Sequence, residues 1–354
     1  MHISKSFCTF ARKIVDKRIV KIVLLLICVG WILPAHAQYV GSGSSAFNFL
    51  SLPVSARMTA LGGTNVSMRD GDISMAMANP ALLGERTHMV LNLNFAYLMQ
   101  GTMFGSAIYG HNFKEKNYFM AGLHYLDYGK MRYADEQGNL TGGSFGARDI
   151  VIHASYARQL GPHFTVGVTL KPVLSFYERY NSFALGADIG GHFQLSDSTL
   201  QVGLSLNNIG WQLKNFYSLE GGRGNEILPL NLQLGVNYMF KHAPIRLGLT
   251  LHDLQWWSMQ QPIPMGVGDL IFSHTIFSFE VVPRSERFYI ALSYNHRRRM
   301  EMNLADQRSL AGFSIGAGVR ISKLHVDFAV TQLTKSNFTF QVGLSLDIAS
   351  LLDN

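Results

Sequence analysis

From His88 to Ile348 the chain reads as about fourteen short segments in which apolar and small polar residues alternate one for one. In the stretch 230 to 240, Leu230, Leu232, Leu234, Val236, Tyr238 and Phe240 fall on one face, and Asn231, Gln233, Gly235, Asn237 and Met239 on the other. A strand turns its side chains with period 2, whereas a helix of period 3.6 cannot segregate these residues. The same rule runs through 200 to 207, 245 to 252, 324 to 331 and 338 to 348.

A soluble β-sandwich also alternates, so the polar face decides between the two. A water-facing strand surface is rich in Lys, Glu and Thr; here that face carries Gly, Ser, Asn, Gln, Ala and scattered single charges. The whole chain is 15% charged, against about 25% in typical soluble domains. Small polar residues suit a crowded barrel interior, and the Leu/Phe/Val face suits lipid. The reading is an all-β fold: an antiparallel transmembrane outer-membrane β-barrel of about fourteen strands over residues 88–348, with an N-terminal plug.

Residues 1–37 place that barrel in an export route. Lys5, Arg12, Lys13, Lys17, Arg18 and Lys21 form a basic region, Ile22 to Leu33 an apolar stretch, and Ala35-His36-Ala37 a small-x-small cleavage site, the pattern of a secretory signal peptide. The apolar run is too short for a spanning helix, which needs about 20 residues, and an exported chain without one enters a membrane only as a closed barrel. Cys28 after Leu25-Leu26-Ile27 resembles a lipoprotein signal, but the bulky Ile27 and the better site downstream argue against lipidation. Both cysteines, Cys8 and Cys28, lie in this leader, so the mature chain has no thiol for a disulfide, a nucleophile or a thiolate metal site. The leader's six basic residues less Asp16 also carry +5 of the formal +7, and the small remainder supports no nucleic-acid partner.

Residues 38–87 differ from the barrel in kind. They are rich in Gly, Ser, Ala and Met, show no useful alternation, and include Arg57, Asp70, Asp72 and the Asn79-Pro80 pair. Such a segment packs inside a barrel more readily than it trails as a periplasmic tail. Residues 47 to 83 are therefore expected in the lumen, with Asp70 and Asp72 satisfied there by lumen Arg, Lys or backbone N–H groups, because an unpaired buried carboxylate is costly; Arg148, Lys171 and Arg320 are the candidate partners. Joints such as Lys114-Glu115-Lys116, Gly161-Pro162, Lys241-His242-Ala243 and Ser322 are tight, while 129 to 147, 209 to 229, 255 to 271 and 298 to 310 are long. Long loops outside and short turns in the periplasm are the outer-membrane pattern. Residues 349–354 form a short C-terminal tail.

Trp211, Trp256 and Trp257 sit at strand-to-long-loop junctions, and with Tyr128, Tyr133, Tyr177, Tyr180 and Tyr217 they are expected to form an outer aromatic girdle. Arg297, Arg298 and Arg299, followed by Glu301, begin a long outer loop; they read either as a charge cluster facing lipopolysaccharide or as a docking patch. Catalytic chemistry is not apparent. Histidines are scattered singly, there is no H-E-x-x-H and no phosphate-binding glycine motif, and Gly142-Gly143-Ser144-Phe145-Gly146 matches a nucleophile elbow in letters but lies in a Gly-rich loop. No cofactor and no metal are expected.

The N-terminal Asn48-Phe49-Leu50, Leu52-Pro53-x-Ser55-Ala56-Arg57, Ala60-Leu61-Gly62-Gly63, Asp70-x-Asp72 and Asn79-Pro80-Ala81-Leu82-Leu83 resemble the entry segment of the PorV/PorQ group of FadL-like barrels of the Bacteroidetes type IX secretion system. Tyr180-Asn181-Ser182-Phe183, Asn208-Ile209-Gly210, Lys241-His242-Ala243-Pro244, Leu249-Thr250-Leu251-His252 and Tyr294-Asn295-x-Arg297-Arg298 are similar to the PorQ-like branch, and the likeness covers essentially the whole mature chain. The 255 to 271 loop is short for that group. The resemblance implies an attachment-complex anchor that holds a PorZ-like surface protein while PorU and PorV process and anchor cargo. Trp211, Trp256, Trp257, Arg297, Arg298 and Arg299 are then the candidate partner contacts, alongside outer-membrane lipid and lipopolysaccharide. The competing expectation is a FadL-like uptake channel for a hydrophobic solute, which calls for an apolar lumen pocket.

Overall fold

The computed structural model describes residues 47–98, 101–195, 197–216, 227–256, 266–283, 285–302, 310–334 and 337–352, excluding the side chains of 333 and 334. The leader, residues 38–46 of the expected plug, Tyr217, Trp257 and the last two residues lie outside that set.

Fourteen strands close on themselves: β1 (Val90–Tyr97), β2 (Met103–Asn112), β3 (Asn117–Ala134), β4 (Leu140–Gln159), β5 (Phe164–Tyr177), β6 (Tyr180–Gln194), β7 (Leu200–Lys214), β8 (Asn231–Met239), β9 (Ile245–Leu251), β10 (Thr275–Val281), β11 (Phe288–Asn295), β12 (Phe313–Ile321), β13 (Leu324–Thr334) and β14 (Asn337–Asp347). Each pairs antiparallel with its sequence neighbour, and β1 returns to β14 from Val90 opposite Asp347 to Tyr97 opposite Phe340. Closure leaves no unpaired sheet edge, the condition for backbone to stand in hydrocarbon. Among the described residues no helix is long and apolar enough to cross a membrane.

The alternation resolves as expected. Along β1, Asn92, Asn94 and Ala96 are buried inward, while Leu93, Phe95 and Tyr97 are exposed on the outer wall. Outward Leu, Ile, Val and Phe recur around the barrel, including Ile189, Leu247, Phe279, Ile290, Ile315 and Phe340. A sandwich would bury that face against a second sheet; here it is the outside.

Several joints differ from expectation. The 129 to 147 segment is largely strand: β3 and β4 continue past Asp127 opposite Arg148 with a register shift, and Lys130, Met131 and Arg132 pair with Gly146, Phe145 and Ser144. The turn that remains is Asp135 to Asn139, closed by the Asp135 carboxylate, which accepts from the Gln137 and Asn139 amides at 3.1 and 2.7 Å. Gly142 to Gly146 therefore lies in β4, not on the strand-to-helix turn that exposes a nucleophile. A short helix α1 (Ala56–Ala60) forms in the plug. Two more occupy the long joints, α2 (Val267–Ser273) before β10 and α3 (His296–Met302) after β11, and α4 (Ala349–Leu352) follows β14.

The wall is of unequal height: β4 has 20 residues, β9 and β10 only 7 each. The tall side carries the β3–β4 hairpin as a crest. Cysteine placed at Asn139 on that crest is expected to react with an impermeant thiol reagent on intact cells, and cysteine at Lys116, in a tight turn at the opposite end, is not. Labelling in the reverse sense inverts the membrane orientation.

Candidate functional site

The plug is threaded through the lumen from Phe47 to Thr87, and most of its residues are buried. Short caps make this segment fold without long elements. Ser55 begins α1 by accepting from the Met58 amide at 3.1 Å, Asp72 caps the turn Ile73–Met77 through the Ser74 amide at 2.9 Å, and Asn79 caps Pro80–Leu82 through the Ala81 amide at 3.0 Å. Each polar side chain replaces a partner that the buried backbone would otherwise lack.

Asn79 and Pro80 seat the plug on one side of the barrel. The Asn79 side-chain amide donates to the carbonyl oxygens of Val66 and Gly191 at 2.6 and 3.2 Å. The wall beneath is glycine: a Cβ at Gly190 would meet the Asn79 side chain, one at Gly167 the Pro80 backbone, and one at Gly203 the Val66 carbonyl oxygen. The small lumen residues read from the sequence are here the space that the plug backbone occupies.

On the other side the plug is held by charge. Arg57 donates to Asp70 Oδ2 and to Glu280 Oε1, both at 2.7 Å, and Arg246 donates to Asp70 Oδ2 at 3.0 Å and to Glu280 Oε2 at 2.8 Å. Two cations and two carboxylates thus alternate in a closed ring, with Arg57 and Asp70 from the plug and Arg246 and Glu280 facing each other across β9 and β10. The Arg57 guanidinium also lies over the Tyr289 ring, 4.0 Å from its centroid, a favourable placement for a cation. Burial opposes the charge on Asp70, but Arg57 and Arg246 outweigh it and hold its carboxyl below the ordinary range. Asp72 moves the other way, pushed up by burial and by the neighbouring Asp327.

Asp70 thus has a lumen Arg and Asp72 a backbone N–H, as expected, but the three named candidates are corrected. Lys171 pairs instead with Asp188 on the adjacent strand at 2.6 Å, and Arg148 lies over the Phe176 ring. Arg320 lines a cavity of about 260 Å³ with Arg57, Asp70, Asp72, Arg246 and His325 at the tight-turn end but makes no ion pair among the described residues. Sequence reasoning missed Arg246 and Glu280, which are single charges on otherwise apolar strands; an inward charge in a barrel wall is itself the signal that something polar must face it.

At the long-loop end, Arg298 closes the plug from α3. It donates to the Gly62 carbonyl oxygen, to Ser314 Oγ and to Thr331 Oγ1, each at 3.2 Å. Arg297 pairs with Asp253 and Glu301, both at 2.6 Å, and Arg299 packs against Gly312. The Arg triplet is therefore a lumen closure as well as a rim feature, with Arg298 directed inward. Trp211 stands on the outer face of β7, 56% exposed; Trp256 is half-buried in the turn after β9, its amide bonded to the Asp253 carbonyl oxygen. The expected aromatic girdle is only partly formed. Tyr133 and Tyr180 are exposed, but Tyr128 and Tyr177 turn inward and donate to Asp149 Oδ2 at 2.6 and 3.1 Å. Among the described residues no group of three or more His, Cys, Asp and Glu side chains is placed to hold a metal ion.

Arg57→Met leaves two buried carboxylates facing one guanidinium, and a loss of about 3–5 kcal/mol is expected, read as faster hydrogen exchange through residues 55 to 78 while the strands stay protected. The pH dependence has a fixed sign. The Asp70 carboxyl protonates at lower pH folded than unfolded, so its contribution is full above the unfolded value of about 3.9 and fades as pH falls below it. The difference in plug protection between wild type and Asp70→Asn is expected to be constant near neutrality and to shrink below about pH 4; a difference that grows on acidification contradicts the assignment.

No family model matches the chain, and no curated protein does. Solved structures do. The crystal structure of the Pseudomonas putida toluene transporter TodX aligns with a TM-score of 0.52 at 13% identity, over 83% of this chain and 97% of that one. A TodX monoaromatic hydrocarbon channel lacking S2 aligns with a TM-score of 0.52 at 14% identity, over the same 83% and 97%. At these identities the likeness is one of fold: this chain has the architecture of the TodX-type barrel.

Proposed function

We propose that the protein is an outer-membrane barrel that works as a non-enzymatic anchor of a type IX secretion attachment complex, holding a PorZ-like surface protein at its long-loop rim beside PorU and PorV. The observation that carries this reading is the filled lumen. The plug is fixed to the wall on one side by backbone lying in glycine gaps and on the other by the ring of four charges, and Arg298 ties it to the rim. The cavity at the tight-turn end sets the charges of Arg57, Asp70, Arg246 and Arg320 beside Val90, Val282, Phe288 and Leu324, a mixed lining rather than the predominantly apolar one that a hydrophobic solute calls for. A barrel so filled offers its outer surface for work. The order of motifs shared with the PorQ-like branch supports the partner; Trp211, Trp256, Trp257, Arg297 and Arg299 gather side-chain types common in interface anchors, and outer-leaflet lipopolysaccharide is the expected lipid contact.

A second reading, a FadL-like uptake channel for hydrophobic solutes, is favoured by a specific observation: the fold is shared with a toluene transporter. The comparisons lean toward this channel, and the lumen and the motif order lean toward the anchor. Deleting the gene separates them. Under the anchor reading, cargo still crosses the membrane but the PorZ-like protein is lost from the cell surface, and uptake of toluene or a long-chain fatty acid is unchanged. Retention of the surface protein together with reduced uptake of the apolar solute replaces the anchor with the channel.

A further inference from the structure

Helix α2 carries an exposed apolar face. Val267, Gly268, Ile271 and Phe272 form its outer face, with Val267 77%, Ile271 50% and Phe272 51% exposed. Its other side is Asp269, Leu270 and Ser273; Ser273 is fully buried, Leu270 is half-buried, and Asp269 is exposed with its carboxylate 3.8 Å from His296 of α3. A helix on a water-soluble surface turns its apolar stripe inward and its charge outward. Here the three most exposed large side chains are Val267, Ile271 and Phe272, while the one charge of the helix, Asp269, is exposed at its flank on the side of His296.

That surface continues the outer wall. The Phe272 ring lies 6.4 Å from the ring of Phe277, which belongs to the outward row of β10 with Phe279. The wall is also lowest at this point. Seven residues at about 3.3 Å each, tilted about 40°, rise about 18 Å, short of an apolar band about 25 Å tall. β9 and β10, with 7 residues each, fall short of that height, and α2 leads directly into the long-loop end of β10.

We infer that α2 is a lipid-facing part of the barrel wall, and that Val267, Ile271 and Phe272 contact the hydrocarbon of the membrane leaflet at the long-loop end. This rests on the membrane reading above. Hydrocarbon is the occupant because the surface is uncharged, is continuous with the lipid-facing strands and fills a deficit in their height. The 7-residue helix is far too short to span; it lies at the boundary, as interfacial helices do. The long joint between β9 and β10 is then partly membrane, which narrows the rim open to a soluble partner.

The mature chain, having no cysteine after Cys28, suits site-directed spin labelling. Val267→Cys, Ile271→Cys, Phe279→Cys and Asn139→Cys variants of the full mature protein, each labelled with a nitroxide, are reconstituted into phosphatidylcholine vesicles. Collision with oxygen, which concentrates in lipid, is compared with collision with a water-soluble nickel chelate. Labels at 267 and 271 are expected to match the wall position 279, with an oxygen-to-nickel ratio severalfold above that at 139. If 279 reports lipid while 267 and 271 report water as 139 does, the helix faces solvent and the inference fails alone. If 279 itself reports water, the membrane reading and this inference fall together.

Discussion

The ring formed by Arg57, Asp70, Arg246 and Glu280 is the contact on which the arrangement of the lumen depends. A barrel wall of fourteen strands leaves an interior that side chains alone do not fill, and the chain fills it with its own N-terminal segment. Small residues let that segment approach the wall, but glycine gaps alone do not say which stretch of plug faces which strand. The ring does, because only Arg57 and Asp70 together complete the Arg246–Glu280 pair. Buried ion pairs return little net stability, since desolvation consumes most of the Coulombic gain. Their use here is register: a plug shifted along the lumen keeps Arg57 with Asp70 and Arg246 with Glu280 but loses the two plug-to-wall contacts, so that each buried charge has one partner where the ring gives it two.

The wall divides the molecule into two unlike sides. From β3 to β7 the strands are long, the β3–β4 hairpin rises as a crest, and inward Tyr128 and Tyr177 converge on Asp149. From β8 to β11 the strands are short, and helices occupy the joints. The plug bridges the two sides: Asn79 and Pro80 rest on the glycines of the tall side, while Arg57 and Asp70 bind the charges of the low side. The chain's two specialised plug motifs are thereby explained as the two ends of one strut, and the Arg298 bond to Gly62 adds a third tie at the rim.

The strand architecture was legible in the sequence because a side chain in a strand has only two directions. Period-2 alternation with a small polar inner face already determines a barrel, its strand order and the sense of its pairing, and the low charge of the outer face determines its solvent. The plug was legible as a segment too rich in small residues to be a tail, and Asn79-Pro80, Asp70, Asp72 and Arg57 as its polar marks. What only the tertiary structure decided were the partners across the lumen. Arg246 and Glu280 lie 176 and 210 residues beyond Asp70, and nothing local in an isolated inward charge names its counterpart; Lys171, an equally plausible choice, was already taken by Asp188 on the next strand. Likewise 129 to 147 was read as loop because its glycines mask an extended hairpin, and Tyr128 and Tyr177 were read as girdle residues from their place beside a joint, although each is in phase with the inward row of its own strand. Alternation is a local property and survives in the sequence; pairing of charges and the effect of a bulge are set by which strands meet, and that is decided only when the barrel closes.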